Sequence, residues 1–540
     1  MKKSVLILGM TLVLSSCISD LRETVDKAQN VKGIEWNPTI AAPLIHSRLS
    51  LRDLLDEVGE VEFLKVDDEG GMTLVYSDGY KSKTAEEVLV LQDQQYSETF
   101  TLTPTQLSEL NTNGTLVVTF DRSLDYILGP NETDRIVFKG GDFNLSLSSS
   151  LQHDVKMKVT VMEGKKNGSL FTEVLNSTFT GAPNEANSST SLDGVDIDLT
   201  KTAKGHSQMD VQFELTVTKN AINPILISET ISYEMGLVDQ KFKEMHGYYD
   251  PQNFSSASDI FKLGFFENNT GGTFTLKDPR IKFILTNSLG FPLEARVLRF
   301  EGTNSSNNKI DLTGYPDPFP VPNLGLADVG LKKVDSFSMD ASNSNLAAFI
   351  NNRPSEVLYE FAVNSIASGV DRQWVLDTSL LEVQVDIEVP MEGTARDFSM
   401  ENSQEFSLDL ESTEEIKEVL VRLYTENGFP VDISTQLYFE DSASNTVLDS
   451  LLTSDILILP AGEVDGAGRV VAPNPKTTDI VLDASTIDRI KNADRLRIKA
   501  YFNTPFDSGG TTQPDVKFYD NYDVFIQLGV QAEVLINQDL

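Results

Sequence analysis

Cysteine and histidine, which often serve as nucleophiles, bases and metal ligands, are scarce in this chain. Its 540 residues include one cysteine, Cys17, and four histidines: His46, His153, His206 and His246. No two histidines stand four residues apart, and none sits in a cluster with metal-ligand spacing. The Gly-x-Ser-x-Gly and His-Glu-x-x-His motifs do not occur either. We therefore predict that the protein is not an enzyme and uses neither a metal nor another cofactor.

Carboxylates are abundant enough to supply a calcium site or the acid pair of a glycoside hydrolase, so residue type alone excludes neither. Asp196 and Asp198 share one face of a predicted strand, and Asp67, Asp68 and Glu69 crowd a predicted hairpin turn. The ligand spacing of an EF-hand loop does not occur around them. We interpret these acids as a solvated strand face and a turn, and calcium binding stays open.

Neighbouring aromatic residues are candidates for binding a sugar. Tyr248 and Tyr249 are adjacent, as are Phe265 and Phe266. Because adjacent residues of a strand face opposite ways, one ring of each pair is expected in the core and the other on the surface. Tyr248 and Tyr249 are the predicted ligand-binding pair, whereas Trp374 is predicted to be a core residue.

The only cysteine follows a segment typical of bacterial secretion. Two lysines precede an apolar stretch at residues 5–14, which is too short to cross a bilayer as a stable helix. Leu14, Ser15 and Ser16 then precede Cys17, and this Leu-Ser-Ser-Cys sequence resembles the lipobox of bacterial lipoproteins. The resemblance implies cleavage before Cys17, a diacylglycerol on its thiol and acylation of the new amino group. An ordinary signal peptide with an incidental cysteine is the alternative.

A lipid on Cys17 would attach the protein to the membrane without a transmembrane helix. Two or more acyl chains hold a protein firmly, and no other apolar run approaches the roughly 20 residues that a spanning helix needs. Asp20, the third residue after Cys17, favours the outer membrane by resemblance to the usual sorting pattern. Asp20 and Glu23 also resemble surface-export signals of Bacteroidota lipoproteins. We predict an outer-membrane lipoprotein; whether it faces the periplasm or the exterior stays open.

The charge of the chain limits its partners. The formal net charge is −37, from 44 basic and 81 acidic residues. Such a protein repels phosphate backbones, so we predict no nucleic-acid partner. It is also repelled by an anionic membrane surface, so the lipid rather than charge must hold it there.

Alternation of apolar and polar residues dominates the chain and predicts strands with one buried face. Clear examples are "VKMKVTVM" from Val155, "MDVQFELTV" from Met209 and "EVQVDIEVP" from Glu382. Short helices are expected after Ser50, after Thr103 or Thr105, within "SNLAAFINN" before Pro354, and after Asp483 or Ser485. The predicted fold is mainly β: tandem antiparallel β-sandwiches of the immunoglobulin-like kind, with a few short helices.

Two recurring sequence patterns indicate internal repetition. A short helix followed by a strand recurs in segments ending at Phe120, Phe361 and Phe502, and Gly-Phe-Pro recurs at 290–292 and 428–430. The predicted organisation is a signal peptide (1–16), a tether (17–32), a β-rich domain with short helices (33–150) and three β-sandwiches (151–275, 276–395 and 396–540), of which the last two are repeat units.

Several phrases resemble a family of large, β-rich Bacteroidota outer-membrane lipoproteins whose function is not established. They are "IEWNPTIAAPLIHSRLSLRDLL", "KFKEMHGYYD", "FKLGFFENNTGGTFTLKDPRIKFILTNSLGFPLE", "VDIEVPMEG" and "RIKAYFNTPFD" with "DVKFYDNYDVFIQLGVQAEV". The resemblance implies an envelope lipoprotein with β-rich modules and brings no active site. The leading hypothesis is a non-enzymatic structural or protein-interaction module whose partners are other envelope proteins. A surface carbohydrate-binding lipoprotein is the alternative, and a glycan hydrolase is a third hypothesis.

Overall fold

A computed structural model describes residues 39–50, 52, 61–181, 183–266, 269–366, 371–405, 416–450, 456–465, 468–507 and 510–534. Strands account for 59% and helices for 8% of the structure, and the sheets are antiparallel. The prediction of a mainly β fold built from antiparallel sandwiches with a few short helices is confirmed. No helix in these ranges is long and apolar enough to cross a bilayer.

Strands are numbered in chain order. The first twelve are β1 (Thr39–Ser50), β2 (Leu64–Val66), β3 (Met72–Lys81), β4 (Gln94–Thr101), β5 (Thr115–Asp125), β6 (Glu132–Ser149), β7 (Asp154–Lys166), β8 (Ser169–Ser177), β9 (Asn184–Ser191), β10 (Val195–Asp198), β11 (Gln208–Thr218) and β12 (Thr230–Tyr248). Then come β13 (Asp259–Lys262), β14 (Asn269–Leu276), β15 (Arg280–Asn287), β16 (Leu293–Asn304), β17 (Lys309–Asp311), β18 (Lys333–Met339), β19 (Pro354–Ser365), β20 (Gln373–Leu376) and β21 (Leu381–Pro390).

The C-terminal strands are β22 (Glu392–Glu405), β23 (Ile416–Asn427), β24 (Asp432–Asp441), β25 (Thr446–Ser450), β26 (Ile456–Leu459), β27 (Glu463–Val464), β28 (Val470–Ala472), β29 (Asn474–Asp483), β30 (Arg495–Asn503), β31 (Val516–Lys517) and β32 (Asp523–Val534). The α-helices whose full ranges are described are α1 (Ala85–Val88), α2 (Pro104–Asn113), α3 (Leu346–Asn351) and α4 (Ala484–Ile490), and 3₁₀ turns occupy Val61–Phe63, Gly264–Phe266 and Leu326–Asp328.

Among the described strands, those near the two ends of the chain pair with each other, and most of those of the central sandwich lie between them in sequence. Strands β4–β12 form what we call the central sandwich, to which β20 is added beside β12. The middle sandwich has one sheet of order β18-β15-β21-β3-β2 and another of order β13-β19-β16-β17. The terminal sandwich has β1-β32-β23-β29 and a sheet that runs from β14 through β22, β30 and β24 to β25. The first strands of the chain thus belong to the terminal and middle sandwiches, the next strands form most of the central sandwich, and the later strands complete the middle and terminal ones.

The predicted ranges 33–150, 151–275, 276–395 and 396–540 do not correspond to separate sheets. Strand β3, from the first range, pairs with β21 from the third, and β1 pairs with β32 from the last. A single apolar cluster extends from Leu64 to Met391 and so joins the central and middle sandwiches. Alternation of apolar and polar residues shows which face of a strand is buried, but it does not show which distant strand lies beside it. The pairing of strands from distant parts of the chain therefore cannot be predicted from local sequence.

The two Gly-Phe-Pro segments occupy equivalent corners of the middle and terminal sandwiches. Each follows a strand whose last residue is a buried asparagine, Asn287 in β15 and Asn427 in β23. Each asparagine accepts a hydrogen bond at 2.8 Å from the backbone N–H two residues later. The chain then crosses to the opposite sheet as β16 or β24. This shared corner supports the repeat that the sequence indicated.

The helix caps match local sequence signals. Thr103 caps α2, accepting from the backbone N–H of Gln106, and Asp483 caps α4, accepting from that of Thr486. Thr103 rather than Thr105 is therefore the cap of α2, and Asp483 rather than Ser485 is the cap of α4. Ser50 ends β1, and apart from Arg52 the residues of the helix predicted after it lie outside the described ranges.

Aromatic side chains fill the space between the two layers of the central sandwich, and an ion pair closes one edge. Phe213 of β11 and Tyr233 of β12 lie 5.0 Å apart between ring centroids. At the edge, Glu98 accepts hydrogen bonds from the Tyr96 hydroxyl at 2.6 Å and the Tyr233 hydroxyl at 2.7 Å, and from two nitrogens of Arg122 at 2.9 and 2.6 Å. These bonds, those from Arg122 above all, lower the pKa of Glu98 to about 2.

We expect Glu98→Gln to lower the free energy of unfolding at pH 7 by about 2 kcal/mol, a figure reduced for the partial exposure of the pair. Because the folded-state pKa of Glu98 lies below its unfolded value, its contribution is complete above about pH 4.5 and is lost as the pH falls toward about 2. The check is urea unfolding of both proteins across this pH range. A difference between them that does not shrink with acidification would contradict the assignment.

Candidate functional site

The predicted site residues fall in very different places. Cys17 and the lipobox residues Leu14, Ser15 and Ser16 lie outside the described residues. Trp374 is fully buried, and its indole N–H donates to the Gly325 carbonyl at 2.8 Å.

The tyrosine pair at the end of β12 does not form a two-ring platform. Tyr249 is 1% exposed and packs edge-on against Phe291 at 5.6 Å, whereas Tyr248 is half-buried. Burial raises the pKa of the Tyr249 hydroxyl well above its usual value, and this hydroxyl has no hydrogen-bond partner among the described groups. Only Tyr248 is therefore placed to meet a ligand, and its binding role stays a prediction.

His206 and His246 both lie close enough to Asp134 for their charge to affect its pKa, whereas His153 has separate contacts. His153 is buried and accepts a hydrogen bond from the Asn220 backbone N–H at 2.9 Å. His246 lies 2.8 Å from Glu244, and His206 lies 3.7 Å from Glu132. Across the described ranges, no group of three or more His, Cys, Asp and Glu side chains is arranged to hold a metal ion.

Three of the five carboxylates singled out from sequence have structural partners. Asp67 accepts the backbone N–H groups of Glu69 at 3.0 Å and Gly71 at 2.6 Å, and so shapes the turn between β2 and β3. Asp196 pairs with Arg135, while Asp198 accepts from the Thr200 hydroxyl at 2.6 Å. Asp196 and Asp198 thus belong to separate contacts on β10.

A polar depression of about 450 Å³ lies on the outer face of the central sandwich, a feature that sequence reasoning missed. Strands β4, β12, β6 and β9 run side by side there. Their inward residues, such as Phe143, Leu145 and Met235, are in the core, so the alternating residues face out. Gly236 of β12 forms the floor of the depression because it has no side chain.

Rows of polar residues cross this sheet beside Gly236. In one row, Gly236 stands opposite Gln95 and Asn144, and Asn144 opposite Ser189. In the next, Glu234 stands opposite Ser146, and Ser146 opposite Asn187. Within the described part of the chain, none of these side chains has a protein partner: Gln95, Asn144, Ser146, Asn187, Ser189 and Glu234. Their amide, hydroxyl and carboxylate groups are therefore free to bind a ligand.

A second depression, of about 390 Å³, lies farther along β6 and β12 and is charged. Arg135 at its base pairs bidentately with Asp196 at 2.9 and 3.0 Å and contacts Glu244 at 2.7 Å. Lys165 and Lys243 also line it, and neither makes an ion pair with a described residue. Three basic and two acidic side chains thus give this concave surface of a strongly acidic protein a net charge of +1.

The third surface feature is the loop between β11 and β12. Ile222, Leu226 and Ile227 are 89%, 57% and 53% exposed. Hydrogen bonds hold the loop in shape, since the Ile222 N–H donates to the Asn220 side chain at 3.0 Å and the Leu226 N–H to Glu229 at 2.9 Å. The loop therefore presents aliphatic side chains to solvent in a defined conformation.

Comparisons with known proteins do not assign a family. No family model matches the chain, and no curated protein does. Among solved structures, the chain is similar to one described as "a putative secreted protein from Parabacteroides distasonis", at 11% identity and a TM-score of 0.25, covering 92% of this chain and 99% of that one. The VP2 subviral particle of infectious bursal disease virus is similar over 85% of this chain and 84% of that one, at 7% identity and a TM-score of 0.14.

Proposed function

We propose that the protein is a lipid-anchored outer-membrane protein that acts as a non-enzymatic interaction module of the cell envelope. Its partner is another envelope protein, which docks on the loop at residues 219–229. The observation that carries this proposal is the exposed aliphatic group Ile222, Leu226 and Ile227. Clustered apolar side chains on a soluble surface mark contact sites, because their exposure to water is unfavourable.

Charge favours a protein over the bilayer as the occupant of this loop. The chain carries a formal net charge of −37, which opposes close approach of the body to an anionic membrane surface. Glu229 lies within the loop itself and bonds to its backbone. A partner protein can match an apolar loop with an acidic border, because its own surface can place cations around an apolar pocket.

Membrane attachment is supported by the segment at residues 14–17 and by the path of the chain after it. Strand β1 begins at Thr39, shortly after the predicted tether at 17–32, and pairs with β32 on both sides of an irregularity between Pro43 and Ile45. A pull on the tether therefore loads a ladder of backbone hydrogen bonds. Such a ladder suits a body held at the membrane by one end.

The test places a photo-crosslinking amino acid at position 222 in cells. We expect a reproducible crosslink to an envelope protein, and no such product from position 174, an exposed valine of the same sandwich that is 40% exposed. Replacing Ile222, Leu226 and Ile227 together by serine should lower recovery of that partner by about tenfold. Because these side chains are exposed, the melting temperature should not change.

Two outcomes would refute partner docking on the loop. One is a partner that is recovered equally well with the triple serine variant. The other is a crosslink to lipid alone, which would place the loop in the bilayer instead. Lipid attachment itself is tested separately by substitution of Cys17.

A second candidate function is carbohydrate recognition, and the polar depression around Gly236 favours it. Sugars present neighbouring hydroxyl groups, and amides, hydroxyls and carboxylates can hydrogen-bond to them as both donors and acceptors. Six such side chains in one depression have no other described partner. None of the described residues that line the depression is aromatic, so binding would rest on hydrogen bonds and, for a polymer, on repeated weak contacts.

A further inference from the structure

We infer that the glycan bound by this sheet is an acidic polysaccharide, whose carboxylate is held between Lys165 and Lys243. This inference rests on the carbohydrate-binding function proposed above. The polar depression would bind the neutral hydroxyl groups of the polymer, and the charged depression its anionic group.

The two depressions share an outer face and two strands. Val137 and Arg135 of β6 line the charged depression, and Asn144 of the same strand lines the polar one. The buried residues Phe138 and Phe143 alternate with these positions on either side of a bulge. At about 3.3 Å per residue, Val137 and Asn144 are separated by about 23 Å along the strand. One extended chain of sugars can reach both depressions.

The charges in the second depression leave the lysines available for an anion. Arg135 is bonded to both acidic residues of the lining, Asp196 and Glu244. The single positive charge of Arg135 offsets only one of these two carboxylates, and Asp196 also stands opposite Lys165 across β10 and β7. The five charged side chains of the lining therefore leave a net charge of +1 to attract an anion. Both lysines are exposed and can adjust to a ligand. A lysine ammonium binds an anion as a point charge, without demanding one geometry.

The spacing of charge distinguishes an acidic glycan from other polyanions. A nucleic acid carries a phosphate on every unit and would bring negative charge over Glu234 as well as over the lysines. The polar depression offers amides, hydroxyls and the carboxylate of Glu234, and no lysine or arginine lines it. The face therefore fits a polymer with hydroxyl groups throughout and a carboxylate at intervals, as in a uronic-acid polysaccharide.

The experiment compares polygalacturonate with its methyl ester, which has the same sugar chain without the charge. Binding to the full protein is measured by calorimetry at low and moderate salt. We expect the acid to bind about tenfold more tightly than the ester, and salt to reduce that preference. The double variant Lys165→Gln/Lys243→Gln should bind both forms equally, at the affinity of the ester.

Matched variants distinguish a general effect of removing positive charge from an effect specific to the charged depression. Lys156→Gln/Lys158→Gln removes the same amount of charge from β7, the strand of Lys165, at positions outside the depression, and should keep the preference. Asn144→Ala/Asn187→Ala should weaken binding of both polymers by about tenfold. All these side chains are at least partly exposed, so unchanged melting temperatures would confirm that the variants fold.

The possible results distinguish the acidic class of the glycan from the carbohydrate-binding function itself. If acid and ester bind equally and the lysine variant changes nothing, the acidic class is wrong and carbohydrate recognition stands. If the two lysine pairs lower affinity for the acid equally, the charged depression is not the site. If neither polymer binds, the acidic class and the carbohydrate function both fail.

Discussion

A Cys17→Ser variant is expected to leave the membrane fraction almost completely. A serine hydroxyl in place of the thiol removes the acceptor for diacylglycerol, and the cleavage and amino acylation that depend on it do not follow. Two or more acyl chains make attachment effectively stable, whereas a chain without them has only its surface with which to bind. At a formal net charge of −37, that surface is repelled by anionic lipid.

Fractionation and mass spectrometry of the mature amino terminus measure this effect. The unmodified protein should remain with the outer membrane in high salt and give an acylated peptide that begins at Cys17. Ser16→Ala keeps a small residue before the cysteine and should behave like the unmodified protein. An unmodified thiol in the mature protein, or Cys17→Ser protein that still sediments with membranes, would refute the lipid anchor.

Local patterns predicted the elements of this fold well because their physical causes are local. Strand β7 follows from apolar residues at every second position, and α2 begins where Thr103 can accept a backbone N–H. Strand partners were not predictable in the same way. Nothing in residues 72–81 indicates that β3 will lie beside β21, because the contact depends on closing a loop of several hundred residues.

The candidate sites likewise combine features that local sequence predicts with features that depend on strand pairing. Sequence alternation correctly separates a buried from an outward residue, and Tyr249 and Tyr248 differ in that sense. The polar depression depends instead on the register of four strands, which brings Gln95, Gly236, Asn144 and Ser189 into one row. One signal was available: the outward residues of β9 are rich in serine and asparagine where a solvated face more often carries charge.

We expect Trp374→Ala to lower the free energy of unfolding by about 4 kcal/mol, the largest stability effect among these predictions. Trp374 is fully buried on β20, which pairs with β12 of the central sandwich. Its indole donates to the Gly325 carbonyl at 2.8 Å, and it pairs with Gly290, where an added Cβ would lie 2.5 Å from its ring nitrogen. One side chain thus joins strands of the central sandwich to two segments of the middle one.

Because Trp374 contacts the middle sandwich, and its neighbour Val375 belongs to the apolar cluster that the two sandwiches share, loss of this ring should destabilise both together. Hydrogen exchange checks this: amides of β12 and of β15 should lose protection in parallel, with one shifted urea transition. Trp374→Phe keeps most of the apolar surface and should cost less, and Leu298→Ala, at a side chain that is 60% exposed, should cost little. If β15 alone lost protection in Trp374→Ala, the central and middle sandwiches would be independent folding units.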